Sequence, residues 1–179
     1  MMAARGAHLS AARIVRDAGG VLVGRTRLQK VTYLTQLAGF PVEFEFEYRH
    51  YGPFSEDLAS AMEIASGLGL VQEEERRADW GGRYSIYRAT DRAAPPANDS
   101  RSRFVSAAAQ IGAVELELAA TAAFLYAEEG IGGSRAGDPW EVTAQLKPEK
   151  AGSGRLANAK AAYRRLRALE TPLPLPPIT

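Results

Sequence analysis

The sequence predicts a mainly α, α+β fold in which a winged-helix-like N-terminal domain is followed by a helical subdomain packed on it. Three helical segments and then a β-hairpin between residues 8 and 92 predict the first part. Helical periodicity from residue 103 onward predicts the second. With 46% hydrophobic and 24% charged residues, the chain has the material for a real core and is not globally disordered.

The first two elements are amphipathic helices. Residues 9–18 form the first, with Leu9 facing inward, and residues 21–23 form a short apolar link. Residues 26–38 form the second helix, because apolar side chains recur there at helical spacing: Leu28, Val31, Leu34 and Leu37.

Residues 43–48 alternate between glutamate and aromatic side chains, which predicts a half-buried strand. After a turn at residues 51–53, Ser55 is placed to cap a third helix that ends near Gly67. Residues 70–75 and 83–88 then form the two strands of the wing hairpin. This order is that of a winged helix, which completes a domain over residues 8–92.

Two prolines and a polar cluster make residues 93–102 a linker. Helices are predicted over 103–111, over 114–128, from an Asp138 cap followed by Pro139, and over 153–170. Residues 103–170 therefore form a helical subdomain. The proline-rich tail, 171–179, is expected to be extended; a frayed or self-packed tail is favoured over a polyproline II ligand.

Composition excludes several function classes. The net charge is +1, so no overall positive field attracts nucleic acid or membranes. The chain has no cysteine and two histidines, which argues against disulfides, the commonest zinc sites and any metal or other cofactor. Neither a signal peptide nor a membrane span is visible, so we expect a cytoplasmic protein.

Catalysis has little support in the sequence. The glutamates at 43, 45 and 47 and at 73–75 are best interpreted as solvated charge. His50 beside Tyr51 is the most reactive local pair, yet no nucleophile or metal partner accompanies it, and a structural turn is the simpler interpretation. We expect no enzymatic activity, with an enzyme using His50 as a remote alternative.

The candidate partner-binding residues are basic or aromatic. The second helix and the following strand bring together a basic patch that suits a phosphate or an acidic partner: Arg25, Arg27, Lys30 and Arg49. The alternative is that these residues pair with the neighbouring glutamates and do nothing else. Trp80, in the turn of the predicted wing, is either an exposed anchor for a partner or folded back onto the helical half.

DNA binding is the usual role of a winged helix, whose third helix enters the major groove. Here that helix carries Glu56, Asp57 and Glu63 and no basic residue, so its exposed face repels phosphates. Three wing residues are nevertheless candidates for contacts to the DNA backbone: Arg76, Arg77 and Arg83. A DNA-binding regulator, as a homodimer through the last helix, therefore remains the alternative.

Several segments resemble the YwgA-like family of small bacterial and archaeal proteins. In the first part these are residues 24–34 (GRTRLQKVTYL), 51–58 (YGPFSEDL) and 67–73 (GLGLVQE). In the second part they are residues 115–125 (ELELAATAAFL) and 145–150 (QLKPEK). The resemblance brings no established activity and no catalytic residues.

The motifs at residues 28–30 and 51–53 are also similar to the Panacea domain of antitoxins and phage-associated proteins. That more distant resemblance implies binding to a protein. Our leading hypothesis is accordingly a non-enzymatic regulatory module, antitoxin-like or associated with phage defence. Its expected partner surface comprises Arg25, Lys30 and Tyr51, or the wing.

Overall fold

The computed structural model describes residues 6–178. The helices are α1 (Ala7–Asp17), α2 (Arg25–Leu37), α3 (Glu56–Gly67), α4 (Ser100–Ala109), α5 (Ala113–Ala127), α6 (Pro139–Leu146), α7 (Pro148–Ala151) and α8 (Arg155–Arg167). The strands are β1 (Val21–Val23), β2 (Glu47–Arg49), β3 (Gly52–Phe54), β4 (Val71–Arg77) and β5 (Arg83–Ala89). The predicted mainly α, α+β class is confirmed.

The five strands form two small antiparallel sheets. In the larger, the order is β1-β5-β4, with β4 and β5 forming a hairpin directly after α3. The expected apolar link at residues 21–23 is instead strand β1, which pairs with β5. In the smaller sheet, β2 and β3 form a short hairpin that leads into α3.

The strand predicted over residues 43–48 is wrong in extent. Burial does alternate over residues 43–46, where Phe44 is buried and Phe46 half-buried, but Tyr48 is 39% exposed and only residues 47–49 pair with another strand. The reason is that the Gln36 side chain takes the place of a strand partner for Phe44. Gln36 Nε2 donates to Phe44 O at 2.9 Å, and Phe44 N donates to Gln36 Oε1 at 2.8 Å.

Two details near the helix ends also differ from expectation. Helix α4 begins at Ser100, inside the predicted linker, because Asp99 and Ser102 form a reciprocal capping box. Leu9 in α1 points outward and is exposed, contrary to the predicted inward position. The expected caps at Ser55 and Asp138 are both present.

Helix α5 lies at the centre of the molecule. Residues 116–125 of this helix are all buried, and they pack against α2, α6, α8 and β3. Buried side chains from before and after the 93–99 segment form one continuous apolar cluster, for example where Phe40 contacts Phe104 at 5.7 Å between ring centres. The proline-rich tail packs on this core as well, with Leu175 and Ile178 buried.

No single helix within residues 6–178 has the length and hydropathy to cross a membrane. Helices α4 and α5 reach that length only as a pair, and the pair is bent by 119°.

Candidate functional site

Segments far apart in the sequence meet at the end of the β2–β3 hairpin. They come from α2, the β2–β3 turn, α5 and the stretch 145–150, and they belong to the motifs that carry the family resemblance. We call residues 50–53 the hairpin tip. The lysine–glutamate cluster around it consists of Lys30, Glu117, Lys147 and Lys150.

Glu117 lies at the centre of this cluster, on a helix whose neighbouring residues are apolar. Its buried carboxylate accepts hydrogen bonds from Lys147 Nζ at 2.8 Å and from Lys150 Nζ at 2.8 Å to each oxygen. Lys147 is buried too, and it also donates to His50 O at 3.1 Å. Two ammonium partners explain how α5 tolerates a buried carboxylate, which would be costly unpaired.

Lys30 projects from α2 beneath the hairpin tip and is 1% exposed. Its Nζ donates to Pro53 O at 2.8 Å. Burial lowers the pKa of the Lys30 ammonium from 10.5 to about 8; the Glu117 carboxylate opposes this change, and Lys147 and Lys150 reinforce it. Lys30 therefore acts from below the surface and holds the backbone of the tip.

Gly52 allows the tip to approach α5 closely. Its φ is +95°, and a Cβ at this position would lie 2.5 Å from Thr121 Oγ1. The backbone conformation and the missing side chain are therefore both required here. The beginning of α3 is fixed as well, because the Gln29 side chain exchanges two hydrogen bonds with the Ser55 backbone, at 2.8 and 2.9 Å.

The side chains at the tip itself point outward. Tyr51 is 56% exposed, and Lys150 Nζ lies 4.8 Å from the centre of its ring in a cation–π contact. His50 is exposed beside it. Lys150 thus links Glu117 to the exposed Tyr51 ring, while Lys30 and Lys147 hold the backbone on either side of it.

The site offers no evident metal centre. Both oxygens of Glu117 already accept hydrogen bonds from lysines. In the part of the chain that the structure covers, no group of three or more His, Cys, Asp or Glu side chains could hold a metal ion.

The two arginines predicted at the start of α2 lie apart from the tip. Arg25 Nη2 donates to Glu73 Oε1 at 3.1 Å, and Arg25 Nε donates to Ser85 Oγ at 3.2 Å. Arg27 donates to the carbonyl oxygens of Ala109 and Ile111, which joins α2 to the end of α4. Arg25 is thus a surface residue beside the sheet, whereas Arg27 connects two helices.

Arg49 lies beside the tip but is engaged by neighbouring groups. It forms ion pairs with Glu47 at 2.6 Å and with Glu56 at 2.7 Å, and its guanidinium lies 4.6 Å from the centre of the Phe54 ring. Among the basic candidates, the structure therefore brings Lys30 and Arg49 to the tip, together with His50 and Tyr51.

The wing arginines are largely neutralised by adjacent glutamates. Arg76 pairs with Glu74 at 2.7 Å and Arg83 with Glu75 at 3.3 Å, whereas Arg77 is exposed beside them. The hydrogen bond from Arg76 is the main cause of the lowered pKa of Glu74. Trp80, at the end of the wing, is 80% exposed and does not fold back onto the helical half.

The outer face of α3 is acidic and partly apolar. Three carboxylates project from it, at Glu56, Asp57 and Glu63. Two large apolar side chains, Ile64 on α3 and Leu68 at its C-cap, are about half exposed, at 52% and 50%. We call these five side chains the acidic α3 face.

Sequence reasoning missed Glu117, Lys147 and Lys150 as site residues. One signal was available for Glu117, because an acidic residue between two leucines in an apolar helix must find a partner if the helix is buried. Nothing local indicated that the partners would come from residues 147 and 150.

The fold and this site define a class of small α+β proteins in which buried charged residues fix a surface hairpin. No family model matches the chain. Over 81 residues it is 31% identical to the uncharacterised protein YwgA of Bacillus subtilis strain 168. The match covers 44% of this chain and 48% of YwgA, so this chain spans about half of that protein's length. The predicted resemblance to a YwgA-like family is thereby confirmed.

Proposed function

We propose that the protein is a non-enzymatic regulatory module that binds another protein. The observation that carries this proposal is the hydrogen-bonded support of the hairpin tip, where Tyr51 is exposed above a cluster of buried charges. Exposed aromatic side chains on rigid supports are typical anchors of protein interfaces. The exposed Trp80 at the end of the wing offers a second anchor.

In this proposal the N-terminal part is a winged helix that binds a protein in place of DNA. The order α1-β1-α2-β2-β3-α3-β4-β5, in which β1 joins the β4–β5 hairpin and the β2–β3 hairpin is an insertion before α3, supports the winged-helix interpretation. In such folds α3 usually faces the DNA, but its carboxylates here repel phosphates and give no counterion release. The ion pairs of Arg76 and Arg83 reduce the attraction of the wing in the same way.

The more distant resemblance to Panacea domains suggests the setting. If the module is antitoxin-like, its partner is a toxin or a phage-associated protein, and it binds that partner in the cytoplasm. The absence of cysteine fits a reducing compartment of that kind.

Recovery of the protein from its native host at near-endogenous levels tests the proposal. We expect a stoichiometric partner that rebinds as a purified protein, and we expect Tyr51→Ala to weaken that complex at least about tenfold, as for a central aromatic anchor. Leu9→Ala is the matched control, because Leu9 is equally exposed, at 54%, on another element. A protein that elutes alone, or a complex indifferent to both Tyr51→Ala and Trp80→Ala, would contradict the proposal.

A further inference from the structure

A small cleft opens beside the acidic α3 face. It has a volume of about 250 Å³ and lies between α2, β3, α3 and the larger sheet. Its lining includes Arg25, Leu28, Ala59, Met62, Glu63 and Glu73. Leu28 and Met62 are buried and form an apolar floor, whereas the charged residues stand at the edge.

The charged edge is acidic on balance. Glu63 and Glu73 contribute two carboxylates and Arg25 one guanidinium. Glu73 Oε1 also accepts a hydrogen bond from Ser85 Oγ at 2.6 Å, which gives this carboxylate a second partner besides Arg25. Glu63 belongs to both the cleft and the acidic α3 face, so the two surfaces are continuous.

We propose that the acidic α3 face and this cleft bind a basic segment of the partner protein. One lysine or arginine side chain of that segment enters the cleft, with its aliphatic stem on Leu28 and Met62 and its cationic end at Glu63 and Glu73. Arginine and lysine suit such a site because they bury an apolar stem while the charged end finds a carboxylate. The exposed Ile64 and Leu68 supply apolar contacts along the same segment.

The charge of the surface selects this occupant. Glu56 is paired with Arg49, but an acidic protein segment or a nucleic acid would bring negative charge against Asp57 and Glu63, and like charges in contact are unfavourable. The inference rests on the proposed protein-binding function and specifies the chemistry of the partner.

Fluorescence anisotropy with labelled hexaarginine tests the site directly, with hexaglutamate as the opposite probe. We expect hexaarginine alone to bind, at low ionic strength, and Glu63→Lys to weaken it by about five- to tenfold, as reversal of a surface ion pair allows. Glu141→Lys is the matched control, since Glu141 is an exposed acidic residue on α6. Equal binding of both peptides, or equal effects of both reversals, would overturn the inference.

Two further variants distinguish binding in the cleft from non-specific attraction to surface charge. Arg25→Gln frees the Glu73 carboxylate and should tighten hexaarginine binding by about two- to threefold. If Arg25 itself contacted an acidic partner, the same variant would leave hexaarginine unaffected or weaken it, and the inference would fail. Ala59→Phe fills the cleft without changing charge and should weaken binding, whereas Ala127→Phe, at an exposed position on α5, should not.

The failure of this inference is distinguishable from failure of the proposed function. Suppose that the affinity of a purified partner complex depends on Tyr51 and is unchanged by Glu63→Lys, Arg25→Gln and Ala59→Phe. In that case the proposed protein-binding function stands, and the inference that a basic segment binds at the cleft fails. Circular dichroism and urea unfolding of each variant establish that the fold is intact.

Discussion

Lys30 and Glu117 show how single buried charges shape this molecule. Each belongs to a helix that packs in the core, and each is tolerated because its polar end meets partners from another segment. Replacing such a group with an apolar one can leave stability unchanged, whereas removing only one partner of a pair is strongly destabilising. The arrangement therefore ties α2, α5 and the hairpin tip to one relative position.

Stability should depend on pH through Lys30. The pKa of this ammonium is about 8 in the folded protein against 10.5 in the unfolded chain. Between these values the unfolded chain holds a proton that the folded protein has lost, so the free energy of unfolding rises with pH. We expect a rise of up to about 1.4 kcal/mol per pH unit in wild type relative to Lys30→Met. Urea unfolding of both proteins from pH 7 to 9.5 measures this difference.

The upper limit of pH 9.5 avoids an opposing effect. Burial raises the pKa of Tyr33, so above pH 10 its ionisation favours the unfolded chain. If the wild-type and Lys30→Met curves stay parallel from pH 7 to 9.5, the Lys30 ammonium does not titrate in this window and its assigned environment is wrong.

Gly52→Ala should destabilise the hairpin tip by about 2–4 kcal/mol, through backbone strain and overpacking together. Gly81→Ala is the matched control, because Gly81 has φ +92° and no atom of the described residues lies within 4 Å of its Cβ position. It should cost only about 1 kcal/mol. Urea unfolding measures both.

The excess cost at Gly52 is assigned to contact with Thr121 Oγ1. Within residues 6–178 this buried oxygen has no hydrogen-bond partner, so Thr121→Ala alone should change stability little. The double variant Gly52→Ala/Thr121→Ala should recover most of the excess. Additive effects of the two substitutions would show that the contact does not limit the tip.

The sequence allowed only part of the candidate site to be predicted. Lys30, His50 and Tyr51 stand out locally, because a basic residue on an amphipathic helix and a His-Tyr pair before Gly-Pro are visible patterns. The positions of Lys147 and Lys150 depend on how α6 and α7 pack against α5, and no local pattern specifies contacts over that sequence distance.

At the scale of elements, the helices and the hairpin predicted over residues 70–88 followed their local signals, whereas β1 and β2 did not. The caps at Ser55 and Asp138 are set by side chains within one turn, and both were predictable. Strand β1 and the shortened β2 depend on which distant segment supplies hydrogen bonds. Alternation correctly gave the burial of residues 43–46, but Gln36 replaced the expected strand partner.

The C-terminal tail is a packed element despite its prolines. Tyr163 Oη donates to Pro176 O at 2.7 Å, and Trp140 Nε1 donates to Ile178 O at 3.3 Å. Leu175 is 2% exposed, whereas Leu173 is 58% exposed. The self-packed alternative from the sequence is therefore the observed one.

Leu175→Ala should lower the free energy of unfolding by about 2–4 kcal/mol, as for other buried leucines. Leu173→Ala, the same chemical change on the exposed side of the tail, should cost less than about 1 kcal/mol. Urea unfolding followed by the fluorescence of Trp140, in a Trp80→Phe background, reports on both. Equal effects would mean that the tail does not pack in solution as it does here.

Across the whole molecule, charge is arranged locally even though the net value is only +1. Carboxylates occupy the outer face of α3, and ammonium groups surround the hairpin tip. In the winged helix proposed above, the acidic α3 face is where DNA would lie, and this proposal predicts DNA binding if that charge is reversed.

Asp57→Lys/Glu63→Lys should create salt-dependent binding to a short DNA duplex, because two lysines then face the groove. The expected slope of log affinity against log salt is up to about −1.8 for two phosphate contacts, against a slope near zero in wild type. Glu141→Lys/Glu170→Lys is the control. Each single reversal adds two positive charges, so either double variant raises the net charge from +1 to +5. Anisotropy titrations at several salt concentrations measure the slopes. Equal slopes for the two double variants would contradict the proposal that α3 occupies the DNA-facing position of a winged helix. A steep slope in wild type would favour the alternative, a DNA-binding regulator.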